Sequence, residues 1–346
     1  MKKNFKNIKK LKLYYFFLKF IFIPFYDLVW IYLINFKDKI TNIVYNLKNN
    51  NQSYISLNKN NKKIIVDNKV FLNLSEEINN NIDTNLISKK IEKLKSEKYK
   101  KDLQKIENES HKKNPFLIDI FPDLNLSLKT KIVNFATSDF MLKTANNYLG
   151  VFPILARINL NLNIPTGKKQ SSSQLWHRDD FGYKNLDLFM AINSIDENNG
   201  PLFTLKKKDP LNIFFRVKNE INSGLKGERG KILDKDFDYL DSSNSENLTI
   251  LKGKPGTTML IDSIRNYHKG GYCKLNYRLV LRINYMTNDS TYPIHNLEID
   301  RNEWLSLIKN KNFFTRYALR NRSLVFEKFE IPRKLFSFYH AVSIKN

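Results

Sequence analysis

A series of short apolar runs between Pro153 and Met286 is the feature that most restricts the possible folds. The first run alternates apolar and polar residues, as a strand with one buried face requires. Turn-forming residues rather than helical patterns separate the runs, which predicts an antiparallel barrel or sandwich and argues against alternating β-α units. The predicted strands are Pro153–Pro165, Leu186–Ile192, Leu202–Leu205, Leu248–Leu251, Thr257–Ile261 and Arg278–Tyr285.

Two helical patterns precede the first strand, at Leu124–Phe135 and Asp139–Leu149. Ser138 is a suitable N-cap for the second helix, and Gly150 stands where a C-terminal glycine belongs. The predicted fold class is therefore α+β, with a mainly β core over residues 124–300 and flanking helices.

Residues 41–123 are predicted to form a polar, mostly helical extension, although residues 37–61 are rich in Asn and indicate a linker. Lys63–Leu74 predicts a hairpin, because strand-forming residues flank the turn-forming pair Asp67-Asn68. From Asp83 to about Asn108, apolar residues recur at helical spacing among charged ones, which predicts a solvent-facing helix or helix pair.

The first 40 residues form a basic and aromatic segment: six Lys lie within the first twelve positions, and Leu13–Phe36 is strongly apolar. Lys19, Pro24 and Asp27 interrupt the apolar stretch, and a charge at the centre of a bilayer costs about 2.5–3.5 kcal/mol. We therefore predict that residues 1–36 contact a membrane surface peripherally. A membrane span and a helix packed on the protein's own core are the alternatives.

Lys and Arg outnumber Asp and Glu by 58 to 34, giving a formal net charge of +24. Such a balance can indicate a nucleic-acid partner. The basic residues are spread along the chain without a nucleic-acid-binding motif, so no nucleic-acid partner is expected. Cys273 is the single cysteine, which rules out an intrachain disulfide and fits a cytoplasmic location.

Two further segments extend the predicted core. Lys206–Asn247 is long and polar and carries a cluster of Asp residues, which predicts either a lid or inserted subdomain, or a surface insertion. Residues 301–346 begin with a helical pattern and then become basic and aromatic. They are predicted to form a helical extension packed on the barrel.

The segment Gln174–Asp180 contains the candidate chemistry. Residues two apart on a strand point to the same side, so His177 and Asp179 can face the interior while Arg178 and Asp180 face away. With one distant His, this pair would supply three ligands on one face of a metal, the arrangement of non-heme Fe(II) oxygenases. His268 is the candidate for the third ligand.

From about Leu124 to Tyr285, the chain resembles the phytanoyl-CoA dioxygenase (PhyH-like) branch of the Fe(II)/2-oxoglutarate-dependent oxygenases. The segments that carry the resemblance are the helix ending Tyr148-Leu149-Gly150, the metal strand Gln174–Asp179, the strand Leu186–Ile192 followed by the turn Asp196–Leu202, and the closing segment Gly253–Asp262 with His268-Lys269-Gly270-Gly271 and Arg278.

The resemblance implies a double-stranded β-helix, that is, a jelly-roll or cupin-like barrel. It implies His177, Asp179 and His268 as Fe(II) ligands and Arg278 as the partner of the distal carboxylate of 2-oxoglutarate, because the Arg fork binds a carboxylate bidentately. The implied activity is that of a dioxygenase: 2-oxoglutarate is decarboxylated to succinate and CO2 while dioxygen is used to hydroxylate a small-molecule or lipid-linked substrate.

Two departures from the family pattern matter. The interval from His268 to Arg278 is one residue shorter than usual, so Arg282 on the same strand face is a second candidate for the co-substrate partner. Gly270 replaces a hydroxyl residue that assists co-substrate binding in some relatives. The alternatives are a cupin-like metal protein with non-oxidative activity and a non-enzymatic, basic, membrane-associated protein. The sequence specifies neither the substrate and the position oxidised nor the oligomeric state.

Overall fold

The protein was analysed as a computed structural model that describes residues 35–51, 53–55, 64–66, 69–95, 117–167, 170, 172–179, 184–205, 248–287 and 311–319. Its helices are α1 (Phe36–Lys48), α2 (Lys69–Asn81), α3 (Thr84–Lys95), α4 (Leu126–Ala136), α5 (Asp139–Leu149) and α6 (Phe313–Ala318). Its strands are β1 (Ile64–Val66), β2 (Leu117–Asp119), β3 (Ile154–Asn163), β4 (Asn185–Ala191), β5 (Leu202–Leu205), β6 (Leu248–Leu251), β7 (Thr258–Ile261), β8 (Tyr267–Lys269) and β9 (Arg278–Met286).

The strands form two antiparallel sheets. The larger sheet has the order β1-β7-β4-β9-β3-β2, and the smaller has the order β6-β5-β8. Strand β9 is central, because it pairs with β3 along its whole length and with β4 on its other side. The prediction of an α+β protein with antiparallel sheets and flanking helices is confirmed.

Alternation along β9 sends its residues to two different environments. Leu279, Leu281, Ile283 and Tyr285 belong to the main hydrophobic core, which the helices share. Val280 belongs to a second cluster, drawn from both sheets. The two sheets therefore pack against each other on the face that carries Arg278, Val280, Arg282 and Asn284.

The helices α4 and α5 form where the sequence predicts them, and their caps explain their limits. Asn125 and Ser138 each accept a hydrogen bond from the backbone N–H three residues later. Helix α5 ends at Gly150, which adopts a left-handed conformation with φ of 75° and donates its N–H to the Asn146 carbonyl at 2.8 Å.

Two predictions for the N-terminal extension are wrong. The second half of the expected hairpin at Lys63–Leu74 is the start of α2, because Phe71, Leu74 and Ile78 are buried at helical spacing against the core. The expected linker at residues 37–61 begins with α1, whose Tyr45 packs edge-on against Phe152 at 5.2 Å. In the expected hairpin, Val and Phe favour a strand over a short window, and in the expected linker the many Asn favour a loop. The helical spacing of the buried residues is evident only over a longer window.

The predicted extension also completes the core. Strand β1 pairs with β7 and strand β2 pairs with β3, so the two edges of the larger sheet come from residues N-terminal to position 124. Helix α3 confirms part of the predicted helix after Asp83. Residues 1–34, the insertion 206–247 and most of 301–346 lie outside the described residues. Within the described part, none of the helices combines the length and hydropathy of a membrane span.

We predict that Gly150→Ala lowers the free energy of unfolding by about 1–2 kcal/mol, because an L-residue with a Cβ is strained in the left-handed conformation. No neighbouring atom lies within 4 Å of the position that the Cβ would take, so backbone strain alone sets the loss. Urea unfolding measures it. Gly150→Asn should lose less, and an Ala variant as stable as the wild type would contradict the assignment.

Candidate metal centre

Two chain segments bring the candidate ligands together. His177 and His268 exchange backbone hydrogen bonds, each N–H donating to the other residue's carbonyl at 2.9 Å. Two residues further on, the Asp179 N–H donates to the Ser263 carbonyl at 2.9 Å. Because these bonds pair the segment with β8 and the turn before it, the three side chains point to one place.

The ligand atoms of His177, Asp179 and His268 all lie within 4.8 Å of one another, so the group could hold one metal ion. Asp179 Oδ1 is 3.8 Å from the Nε2 atom of each imidazole. Each Nδ1 atom faces a backbone carbonyl, that of Leu175 at 2.7 Å and that of Asn266 at 3.3 Å. An Nδ1–H that donates to a carbonyl leaves Nε2 as the lone-pair donor toward a metal.

The carboxylate of Asp179 is held from one side. Its Oδ2 accepts hydrogen bonds from Ser263 Oγ at 2.8 Å and from Arg282 Nη2 at 3.1 Å. Burial raises the pKa of Asp179, but the charges of His268, Arg282 and His177 and the Ser263 hydrogen bond outweigh burial and lower it to about 2. The group is therefore ionised throughout the physiological range, as a ligand must be.

The neighbours of the ligands point elsewhere. The Arg178 guanidinium lies 5.1 Å from the centre of the Tyr267 ring, and Trp176 is buried edge-on against Phe203 at 6.5 Å. These positions follow the alternation expected for the segment. Asp180 lies outside the described residues.

Arg282 lies beside the ligands and has two carboxylate partners. Besides Asp179, it binds Asp187 through Nε at 2.7 Å and Nη2 at 3.0 Å. Burial alone would lower the pKa of Arg282, but the two carboxylates raise it instead. Sequence reasoning missed Asp187 and Ser263. The available signal was a single carboxylate in the apolar run Leu186–Ile192, at a position that faces the inside of the sandwich.

Arg278 is buried and differs from Arg282 in having no carboxylate partner among the described residues. Its Nη1 donates to the Gly200 carbonyl at 2.6 Å and its Nη2 to Asn163 Oδ1 at 3.1 Å. Arg278 Nε and Asn163 Nδ2 are buried donors without a hydrogen-bond partner among the described residues. Burial lowers the pKa of Arg278, as expected for a cation that lacks a counter-ion.

Glycine makes this arrangement possible. A Cβ on Gly271 would collide with the Gly200 carbonyl oxygen and lie 2.6 Å from Arg278 Nη1.

Nearby, Cys273 is buried, and its Sγ donates to the Asn199 carbonyl at 3.1 Å. Burial raises the pKa of this thiol, so Cys273 is protonated and inert at neutral pH.

A second buried polar group adjoins the centre. Asp262 accepts a hydrogen bond from the Tyr148 hydroxyl at 2.8 Å and lies next to Ser263 in the chain. Burial raises the pKa of Asp262 to about 6, although Arg265 and the Tyr148 hydroxyl oppose the rise. This carboxyl therefore changes charge at mildly acidic pH.

Comparisons with known proteins give structural neighbours only. No protein-family model matches the chain, and no curated protein matches it. Membership of the PhyH-like family therefore stays a prediction.

The similar solved structures include one with bound iron and two that are α-ketoglutarate-dependent. EctD from S. alaskensis with bound Fe is 14% identical, with a TM-score of 0.41, over 69% of this chain and 79% of EctD. The non-heme α-ketoglutarate-dependent epimerase SnoN from nogalamycin biosynthesis is 15% identical (TM-score 0.32, 52% of this chain). The carbocyclase SnoK from the same biosynthesis is 13% identical (TM-score 0.34, 51% of this chain). The matches span less than two thirds of these last two proteins, 63% of SnoN and 65% of SnoK.

We predict that acid favours the folded state through Asp262. An ordinary Asp titrates near pH 3.9, whereas Asp262 titrates near 6 in the folded protein. The folded state therefore binds a proton more readily, so the unfolding free energy falls as pH rises from about 4 to about 6 and then levels.

Asp262→Asn should remove this component. Urea unfolding of the metal-free wild type and variant across this range tests it, because the difference between the two proteins cancels other titrating groups. A difference that does not change with pH would contradict the prediction.

Proposed function

We propose that this protein is an Fe(II)- and 2-oxoglutarate-dependent dioxygenase with a double-stranded β-helix core of the PhyH-like type, which hydroxylates a small-molecule or lipid-linked substrate. One observation carries the proposal. His177, Asp179 and His268 converge beside the inner face of β9, and the same face presents Arg278, a buried cation without a carboxylate partner among the described residues.

The donor set fits Fe(II). Two imidazoles and one carboxylate on one side of a metal leave the other positions open, and this set suits non-heme iron. Bound Fe(II) would activate dioxygen and couple the decarboxylation of 2-oxoglutarate to succinate and CO2 to oxidation of the substrate. The backbone carbonyls at the Nδ1 atoms hold both imidazoles in the orientation that such an ion requires.

Arg278 is the proposed partner of the distal carboxylate of 2-oxoglutarate. Within the described part of the chain, Arg278 Nε and Asn163 Nδ2 both lack a hydrogen-bond acceptor. Because Arg278 Nη2 donates to Asn163 Oδ1, these two donors lie close together. A carboxylate there would accept both hydrogen bonds and neutralise the buried charge. Val280 lies between Arg278 and Arg282 on the same face, where it would contact the methylene groups of the co-substrate.

Arg282 is the weaker candidate for this role. Its guanidinium already binds Asp187 and Asp179, so a third carboxylate would meet a neutralised cation and two negative charges. Arg278 and Arg282 are four residues apart on the strand, or about 13 Å, so the two candidates predict different co-substrate positions.

Three features of the proposal rest on sequence alone. Residues 1–36 are proposed to contact a membrane surface peripherally, a cytoplasmic location fits the single cysteine, and a hydrophobic or membrane-proximal substrate fits the aromatic N-terminal segment. Of the alternatives, a non-oxidative cupin-like protein would keep the metal but would have no use for the unpaired charge of Arg278.

Separate titrations of metal and co-substrate test the proposal. Under anaerobic conditions, His268→Ala should lose Fe(II) binding because one of three ligands is gone. Arg278→Ala should keep Fe(II) but bind 2-oxoglutarate about 30-fold or more weakly, as expected when one partner of a buried charge pair is removed. Arg178→Ala, which removes an outward-facing Arg beside the ligands, should change neither.

Substrate-independent turnover of 2-oxoglutarate to succinate completes the test. A wild-type protein that neither turns over nor binds 2-oxoglutarate in the presence of Fe(II) would contradict the proposal. If, at saturating Fe(II), Arg282→Ala weakens 2-oxoglutarate binding more than Arg278→Ala does, the co-substrate anchor is wrong.

A further inference from the structure

We infer that Asp187 positions the metal ligand Asp179 by acting as the counter-ion of Arg282. The inference rests on the proposed metal site. Asp187 itself contacts neither Asp179 Oδ1 nor the imidazoles of the two His ligands.

The two oxygens of the Asp179 carboxylate have different neighbours. Both hydrogen bonds that it accepts from side chains among the described residues reach Oδ2. Oδ1 instead lies 3.8 Å from both His177 Nε2 and His268 Nε2. Because Oδ2 is held, the carboxylate presents Oδ1 to the metal position and cannot turn freely to offer both oxygens.

Asp187 holds the two groups that hold Asp179. Its carboxylate receives a bidentate pair of bonds from Arg282, at 2.7 and 3.0 Å, and lies 2.6 Å from Ser263 Oγ. Asn185 and Asn284 each donate a further amide hydrogen bond, at 3.0 and 2.8 Å. The Asp187 side chain is completely buried, so these five contacts replace its water.

Charge explains why a second carboxylate is needed. A buried Arg whose only counter-ion was Asp179 would bind that carboxylate strongly and compete with the metal for it. Asp187 takes two of the three Arg282 hydrogen bonds to carboxylates and neutralises the guanidinium. The negative charge of Asp179 therefore remains available for the metal cation.

Ser263 imposes a further restriction. Its single hydroxyl hydrogen faces Asp179 Oδ2 at 2.8 Å and Asp187 Oδ2 at 2.6 Å, and its oxygen accepts from Asn185 at 2.7 Å. It can donate to only one carboxylate at a time, so Arg282 Nη2, which donates to both Oδ2 atoms, is the permanent link between them.

Co(II) titration of the full-length apoprotein tests the inference, with visible absorption reporting both affinity and coordination geometry. Asp187→Asn preserves shape but removes the charge. It should weaken Co(II) binding about 10–100-fold, the usual effect of losing a group that supports a metal ligand. It should also change the Co(II) spectrum at saturation, because Asp179 then turns toward Arg282. Ser263→Ala should act in the same direction, less strongly.

A matched control separates positioning from stability. Tyr285→Phe removes a hydrogen bond of 2.6 Å from the opposite face of β9, so it should lower stability and leave Co(II) affinity and spectrum unchanged. An Asp187→Asn variant with the Co(II) affinity and spectrum of the wild type would overturn the inference. If Asp187→Asn does not fold, the same result in Ser263→Ala would overturn it. Failure of the wild type itself to bind Co(II) would instead overturn the proposed metal site, and the inference with it.

We also propose, from a separate observation, that the exposed side of α1 binds an anionic lipid surface. Among the described residues, helix α1 is docked on the side where Asp38, Thr41 and Tyr45 are buried. Its other side exposes five large apolar residues at helical spacing, Phe36, Ile40, Ile43, Val44 and Leu47. We call these residues the α1 face.

The surroundings of the α1 face favour lipid over another protein surface. Helix α6 lies alongside, since Tyr317 donates to Asp38 at 2.7 Å, and its Phe313 is also exposed. Lys37, Lys39 and Lys48 provide positive charge on the same helix, and the chain preceding α1 is an apolar and aromatic stretch with six Lys before it. Apolar residues bordered by Lys are typical of helices that lie in a membrane interface.

Flotation of the full-length protein with vesicles tests this proposal independently of the metal site. The wild type should bind vesicles containing phosphatidylserine more strongly than vesicles of phosphatidylcholine alone. The double variant Ile43→Glu/Leu47→Glu should lose at least about tenfold in partitioning, because two apolar side chains no longer leave water. Leu275→Glu is the matched control for the single variant Leu47→Glu, since each adds one negative charge and Leu275 is 73% exposed and Leu47 is 72% exposed.

Unchanged partitioning of the double variant, or a loss in Leu275→Glu equal to that in Leu47→Glu, would overturn the lipid proposal. Self-association could also be observed without vesicles, in the wild type but not in the double variant. This result would show that a second copy of the chain covers the α1 face, and it would overturn the lipid proposal as well.

Discussion

The alternation of side chains along β9 is the constraint on which the rest of the structure depends. One face of this strand contributes to the core beneath the helices, and the other presents two cations to the space between the sheets. A shift of register by one residue would exchange these faces. The apolar side chains would then point into the space between the sheets, and the two Arg side chains would point into the core. Pairing with β3 and β4 on both sides fixes the register, and hence the positions of Arg278 and Arg282.

The two cations of this face illustrate opposite uses of a buried charge. Arg282 is balanced within the protein by Asp179 and Asp187, so it supports structure around the metal position. The acceptors that hold Arg278 among the described residues are both neutral, the Gly200 carbonyl and Asn163. An unbalanced buried cation lowers stability, and such a cost is understandable where the protein must leave a place for an anionic ligand.

The sequence predicted the parts of the fold that have a strong local signal. Strand alternation in β3 and the caps Ser138 and Gly150 locate their elements within a few residues. It failed at α1 and α2, where the burial that selects a helix comes from distant partners such as Phe152 and the main core. Local composition in those segments favours a loop or a strand, and tertiary packing overrides it.

The same division applies to the candidate site. The spacing of His177 and Asp179 predicts their shared direction through the alternation of a strand. The predicted metal strand is wrong in detail, because the segment has an isolated bridge at His177 and no continuous strand among the described residues. The role of Arg282 could not be predicted, since it depends on Asp187, which lies on another strand and meets β9 only through the sheet register. From sequence, Arg278 and Arg282 were ranked as co-substrate partners by their spacing from His268. The structure instead distinguishes them by charge, because Arg282 has carboxylate partners and Arg278 has none among the described residues.

The distance between the metal position and Arg278 is set by the packing of the two sheets rather than by either residue. His268 belongs to the smaller sheet and Arg278 to the larger. A cluster that includes Phe189, Leu202 and Leu251 lies between the sheets and fixes their separation. Since interiors are close-packed and transmit small changes in volume, a change in this cluster would alter the span between metal and anion without touching a ligand. The span that the proposed co-substrate would bridge is therefore a property of the hydrophobic core.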